Sequence, residues 1–134
     1  MKKFKRVLLV DDELICNYIS IKWVNRLDIA ENVHVLTNGK LALDFIKENC
    51  QKDYSEDDQD LVLLDIKMPV MDGFQFLHEL EKSTFLYKDR LKIVLLTSST
   101  NVSDIKEACK YKIDGYIEKP LNREKIESLI VKLT

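Results

Sequence analysis

No stretch of this sequence approaches the ~20 apolar residues that a membrane-spanning helix needs. Its first residues also lack the basic-then-apolar order of a signal peptide. Only three cysteines are present, Cys16, Cys50 and Cys109. They are odd in number and widely spaced, which argues against a disulfide framework or a zinc site and makes a reducing, cytoplasmic compartment the expectation. Charge of one sign is missing too: 21 basic against 23 acidic residues leave a formal net charge of −2. Neither nucleic acid nor an anionic membrane then has an electrostatic reason to bind. The cluster Lys2, Lys3, Lys5 and Arg6 reads most simply as a solvated N-terminus. What is present suits one domain with a real core: 134 residues, 46% of them hydrophobic and 33% charged. Residues 1–134 are read as that single unit, with no linker, repeat or further domain.

Short apolar runs alternate with helical patterns. Val7-Leu8-Leu9-Val10, Leu61-Val62-Leu63-Leu64 and Ile93-Val94-Leu95-Leu96 are aliphatic blocks without polar alternation. Both faces of such strands should be buried, as in a parallel sheet covered by helices. Val33 to Leu36 and Gly115 to Ile117 are weaker strand candidates. Between them, Ile126, Leu129, Ile130 and Leu133 mark one helical face. Ile105, Ala108 and Cys109 mark a shorter one, Ala42, Phe45 and Ile46 another, and Phe74, Leu77 and Leu80 another after Asp72-Gly73. Leu14 to Leu27 carries a broader apolar surface that includes Ile15, Ile19 and Trp23, with Trp23 expected in the core. Ser103 and Asn122 are candidate N-caps for the last two helices.

Five βα repeats with right-handed crossovers place helices on both faces of one open sheet. The predicted fold is therefore α/β and doubly wound, a flavodoxin-like, five-stranded parallel sheet with five helices. Its strand order, 2-1-3-4-5, is taken from the common arrangement of this size. The segment from Glu48 to Asp60 stands apart: six acids (Glu48, Asp53, Glu56, Asp57, Asp58, Asp60) face Lys52. It lacks the glycine and oxygen spacing of a calcium loop and reads as a solvated connection.

In such a sheet, ligands bind outside the carboxyl ends of the strands. Asp11 and Asp12 follow the first strand, Asp65 closes the third, Thr97 the fourth and Lys119 the fifth. Three crowded carboxylates repel one another unless a cation joins them. Ligands that are all oxygen favour a hard ion, and Mg²⁺ accepts few protein ligands plus waters. The acids, a divalent ion and Lys119 then cancel in charge, leaving a site ready for one more anion. Phosphoryl transfer fits, because it needs positioning and charge neutralisation more than covalent help, and a carboxylate can be the nucleophile. Lys119 and the metal would neutralise the equatorial oxygens, with Thr97 donating to one of them. Each residue alone has a plain structural reading, such as a helix cap or a dipole partner; their convergence at four strand ends does not.

Together these residues resemble the receiver domain of bacterial two-component response regulators over nearly the whole chain. Val10-Asp11-Asp12-Glu13 is similar to that family's acidic pair, and Leu64-Asp65-Ile66-Lys67-Met68-Pro69-Val70-Met71-Asp72-Gly73 to its phosphorylation motif. Leu96-Thr97-Ser98-Ser99 resembles the switch threonine segment, Tyr116 the switch aromatic, and Glu118-Lys119-Pro120-Leu121 the Lys-Pro motif, with a cis bond before Pro120. The resemblance implies that Asp65 takes a phosphoryl group from the phosphohistidine of a sensor histidine kinase or histidine phosphotransfer protein. It implies Mg²⁺ held by Asp12, Asp65 and the backbone carbonyl of Lys67, with Asp11 acting through a metal-bound water. It also implies a stand-alone switch that signals to a downstream protein target through its fourth helix, fifth strand and fifth helix, with homodimer formation left open. Two departures stand out: Ser98 replaces the Ala or Gly usual after the switch threonine, and Lys67 sets a long cation beside the site.

Two rivals share the topology. A flavin carrier would need a hydroxyl- and Gly-rich phosphate loop after the first strand, where Asp11-Asp12-Glu13 stands instead. An interaction module that is never phosphorylated would be expected to have lost acidic-site residues, and none is lost. His34 and His78 have no partner at metal-ligand spacing and are read as structural. Gly73 is assigned to the turn that starts the third helix.

Overall fold

The structure, a computed structural model, describes residues 3–50, 57–84 and 88–133. Each aliphatic block seeds a strand. In chain order the elements are β1 (Phe4–Val10), α1 (Leu14–Arg26), β2 (Ala30–Leu36), α2 (Gly39–Asn49), β3 (Asp60–Leu64), α3 (Gly73–Lys82), β4 (Leu91–Thr97), α4 (Val102–Ala108), β5 (Gly115–Glu118) and α5 (Arg123–Leu133). A single 3₁₀ turn, Lys88–Arg90, precedes β4. All pairings are parallel, in the order β2-β1-β3-β4-β5 expected for a doubly wound sheet. β1, β3 and β4 are central, and their aliphatic residues are buried on both faces. Alternate residues divide into two cores. Leu8, Val10, Val62, Leu64 and Leu95 join α2 and α3 on one face. Val7, Leu9, Leu61, Leu63 and Val94 join α1 and α5 on the other. No helix among the described residues is long and apolar enough to cross a membrane, and none of the three cysteines is in a disulfide.

Several local readings change. Arg6 and Asp60 are not solvated. The β1–β3 register sets Arg6, the third residue of β1, beside Asp60, the first of β3. Arg6 Nη1 donates to Asp60 Oδ2 at 2.8 Å, and the Asp60 side chain is 0% exposed. A buried charge survives only when paired, so opposite charges on neighbouring strands choose each other over water. Asp53 and Glu56 of the acidic run lie outside the described residues. In α1, Asn17, Ser20 and Val24 are the buried residues, whereas Leu14, Ile15 and Tyr18 are at least 73% exposed. The polar inward face has a cause: the Asn17 amide donates to the Asp11 carbonyl at 2.9 Å. Trp23 is half-buried beneath the guanidinium groups of Arg26 and Arg123. Asn101, not Ser103, caps α4, its Oδ1 accepting from the Ser103 N–H at 2.8 Å. Of the apolar face expected on α4, only Ala108 is buried; Ile105 and Cys109 are exposed. In α3 the residue that disappears most completely is Phe76, 0% exposed, beside the expected Leu77 and Leu80.

The β3–α3 connection is held by backbone seams. The Gly73 N–H donates to the Ile66 carbonyl at 2.7 Å, and the Gly39 N–H to the Met71 carbonyl at 2.9 Å. The Met71 N–H reaches the Pro69 carbonyl at 2.7 Å, which closes a three-residue turn around Val70 at φ 68°. That conformation is strained for a β-branched residue. Asp72 then opens α3 with a reciprocal cap: Gln75 N–H donates to Asp72 Oδ1, and Asp72 N–H to Gln75 Oε1. Gly73 is required for approach rather than for a special dihedral, since a Cβ there would run into the Asp65 carbonyl oxygen and come within 3.0 Å of the Ile66 Cα. Gly73→Ala is expected to cost about 1–3 kcal/mol, the usual penalty for overfilling a packed site. Urea unfolding of the two proteins at neutral pH measures it.

Candidate functional site

The sheet does not stop at its last strand residue. The Asp11 N–H donates to the Leu36 carbonyl at 3.0 Å, Asp65 N–H to Val10 at 2.9 Å, and Lys119 N–H to Thr97 at 2.9 Å. The residues just past the ends of β1, β3 and β5 are thus held by continued ladder bonds, on rigid backbone and at one end of the sheet. Because β1 and β3 are neighbours, Asp11 and Asp65 lie adjacent. Both are nearly inaccessible, at 4% and 5% exposure, and Thr97 at the end of β4 is 3% exposed.

One cation serves this end of the sheet. Lys119 Nζ lies 2.7 Å from Glu13 Oε1, 2.9 Å from Asp11 Oδ2 and 3.2 Å from Asp65 Oδ2. Asp11 is also fixed from behind, its Oδ1 accepting from the Glu13 N–H at 2.9 Å, and Asp65 Oδ1 accepts from the Ile66 N–H at 2.8 Å. Asp11 Oδ2 touches the lysine, but among the described residues it is a buried oxygen that accepts no well-directed hydrogen bond. Burial first, and then the neighbouring Asp11 charge, hold Asp65 above the ordinary carboxylate range; Lys119 and the Ile66 N–H only partly oppose them. Burial works against the charge on Lys119, but its close contacts with Glu13 and Asp11 and the charge of Asp65 prevail and keep it protonated. Burial and its contact with Asp11 push the nearby Cys16 thiol up to about 12, so it stays a neutral thiol.

The structure therefore brings together Asp11, Asp65 and Lys119, with Thr97 bonded through its carbonyl to the Lys119 N–H. It does not bring Asp12 into the group. Asp12 is exposed, and the carboxylates whose oxygens lie within 4.8 Å of one another belong to Asp11, Glu13 and Asp65. Lys67 is also exposed. Glu13 was not singled out from sequence. A signal was available: glutamate is a poor N-cap, yet it stands at the N-cap of α1 and makes no side-chain cap bond. Tyr116 lies away from the acids. Its half-buried hydroxyl donates to the Ser99 carbonyl at 2.7 Å, while the Ser99 N–H donates to Thr97 Oγ1 at 3.2 Å. Ser99 Oγ in turn bonds Asp104 Oδ2 on α4 at 2.6 Å. One short segment thus links the buried threonine, the aromatic and a helix.

Residues 7–131 match the family model of the response regulator receiver domain. The chain belongs to the response regulator receiver family. It is similar to the chemotaxis protein CheY of Halobacterium salinarum, with 32% identity over 94% of this chain and 93% of that protein. Two-component response regulator 24 of Arabidopsis thaliana is 34% identical over 94% of this chain and 81% of its own length. A two-component response regulator from Cytophaga hutchinsonii has a solved structure that superposes with a TM-score of 0.82 over 98% of both chains. At 24% identity that likeness shows the fold. This receiver has the family's five-stranded architecture and acidic crevice.

The residues at the crevice fit a hard divalent cation. They offer oxygen donors only, crowded within 4.8 Å, and a buried carboxylate oxygen without a directed donor is what an added cation would satisfy. The crowding carries a stability cost with a definite pH sign. An acid whose folded pKa lies above its unfolded one binds extra protons in the folded state, so its penalty is present at neutral pH and fades as pH falls through the raised value. In metal-free buffer, Asp65→Asn is expected to stabilise this receiver by roughly 1 kcal/mol at neutral pH. The gain should shrink under mildly acid conditions. Chemical denaturation of both proteins at the two pH values checks the sign.

Proposed function

We propose that Asp65 is the phosphoryl acceptor of this receiver, charged by the phosphohistidine of a sensor histidine kinase or a histidine phosphotransfer protein. A carboxylate oxygen of Asp65 attacks phosphorus, the P–N bond breaks, and its electron pair returns to the imidazole ring, leaving an acyl phosphate. The observation that carries this reading is the placement of Asp65: rigid, raised in basicity, and 3.2 Å from a lysine ammonium. Greater basicity makes a carboxylate a better nucleophile. Mg²⁺ would be held by Asp12, Asp65 and the Lys67 carbonyl, with Asp11 acting through a bound water; Asp12 and Lys67 lie at the exposed rim. When bound, the ion neutralises carboxylates and phosphoryl oxygens together. Lys119 supplies the protein's own positive charge, and the Thr97 hydroxyl a hydrogen bond.

The donor's chemistry is supported by what rims the site. Leu14, Ile15 and Tyr18 expose apolar surface on the first turns of α1. A cleft beside them is lined by Ile15, Cys16, Ile19, Lys119 and Leu121. Such a rim suits a protein donor, since contiguous exposed apolar patches mark protein contacts. For output, Thr97 moving toward a phosphoryl oxygen would free the Ser99 N–H. The segment that also holds the Tyr116 hydroxyl and Asp104 would then shift the surface of α4, β5 and α5. A partner that prefers one arrangement draws the protein toward it by its difference in affinity.

With Mg²⁺ and acetyl phosphate, the protein is expected to gain one phosphoryl group, read by intact mass. Asp65→Asn should gain none, because an amide is a poor nucleophile; equal labelling of the variant would reject the assignment. Thr97→Ala should still be labelled, at a rate lower by roughly 10-fold or more.

A further inference from the structure

Lys119 must face the incoming phosphoryl group, yet in this structure its shortest contact is with a residue outside the acidic pair. Glu13 Oε1 lies 2.7 Å from Nζ, closer than Asp11 at 2.9 Å or Asp65 at 3.2 Å. The three partners differ in how easily they let go. The side chains of Asp11 and Asp65 are 5% and 7% exposed and fixed by backbone donors, whereas that of Glu13 is 59% exposed. Water on its open side can replace the lysine at little cost. Nor is this side chain needed to start α1. It occupies the N-cap, where serine, threonine, aspartate or asparagine would bond the helix, and it makes no cap bond.

Charge points the same way. Asp11, Glu13 and Asp65 crowd their carboxylate oxygens within 4.8 Å of one another, and the Glu13 charge is seated on the ammonium that should meet the anion. We propose that Glu13 is a positioning residue that restrains Lys119: its carboxylate holds the ammonium while Asp65 is unmodified and must release it before a phosphoryl oxygen can take its place. The inference rests on the acceptor role of Asp65 and deepens it by assigning a restraint on that site to one named side chain. The restraint sets a threshold. An anion gains Lys119 only by displacing Glu13, so the site is less responsive to weak phosphodonors than its buried residues alone would make it.

Glu13→Gln and Glu13→Asp separate contact from charge. The amide keeps the length and removes the charge. Aspartate keeps the charge but is about 1.5 Å shorter, one C–C bond. The probe is beryllofluoride at saturating Mg²⁺, with affinity measured by isothermal titration calorimetry on the full chain. The Lys119 side-chain NMR resonances in metal-free, anion-free protein report the contact directly. Both variants should bind the probe about 2- to 5-fold more tightly than wild type, the range expected for loss of one exposed ion pair. Both should also shift the Lys119 resonances. Tightening in Glu13→Gln alone would overturn the proposal in favour of diffuse charge, and unchanged affinity in both would overturn it outright. Either result leaves the acceptor role of Asp65 standing. A wild-type protein that binds no beryllofluoride with Mg²⁺ would remove that role and this inference together.

Discussion

Asp11 and Asp65 sit almost out of reach of water at the ends of adjacent strands, and a single lysine lies against both. Two buried carboxylates side by side are unfavourable on their own. Their persistence requires a frame that cannot relax around them, and the sheet is that frame. The three central strands are aliphatic and buried on both faces, so their ends are fixed by packing that a side-chain repulsion cannot undo. The ladder bonds of Asp11, Asp65 and Lys119 carry this rigidity one residue further, into the site. Stability held in the core is thus opposed at the crevice by charge, an opposition that a cation there would relieve.

The loop from Asp65 to Gly73 serves the same constraint. Its backbone is pinned at Ile66 by Gly73 and at Met71 by Gly39. The packing at both glycines is too close for a Cβ. A β-branched residue, Val70, is held at φ 68° between these pins and left 81% exposed. Strain of this kind persists only where the surroundings over-determine the backbone. Here the surroundings are the two glycine seams and the reciprocal Asp72–Gln75 cap. Their common effect is to hold the backbone that flanks Asp65 in one arrangement.

Much of this could be read in the sequence because it rests on local pattern. Aliphatic blocks without alternation announce buried parallel strands, and polar residues just after such blocks fall at one end of the sheet whatever the helices do. Asp11, Asp65, Thr97 and Lys119 were legible for that reason. Features that depend on pairing across the sheet were not. Arg6 and Asp60 looked like parts of two solvated charge runs until the β1–β3 register set them opposite each other. The inward face of α1 was misjudged because hydrophobicity ranks Ile15 above Asn17, whereas the helix turns Asn17 toward the Asp11 carbonyl. Glu13 was passed over because its partner lies 106 residues away. In a one-dimensional reading it is the third acid after a strand, and only its poor fit as an N-cap sets it apart from a helix-dipole residue.

That separation has a consequence for when the protein acquires its chemistry. Lys119 reaches back 54 residues to Asp65 and 106 to Glu13, and it lies in the last loop before the final helix. A ribosome delivers β1, β2 and β3 well before β5, so the early strands can pair while the carboxylates still lack their cation. Until the fifth strand docks, the crevice is only a cluster of mutually repelling acids. A chain synthesised only as far as β4 would present Asp65 without the ammonium that lies 3.2 Å from it in the folded protein. A full set of contacts at Asp65 is then a sign that the sheet beneath it has closed.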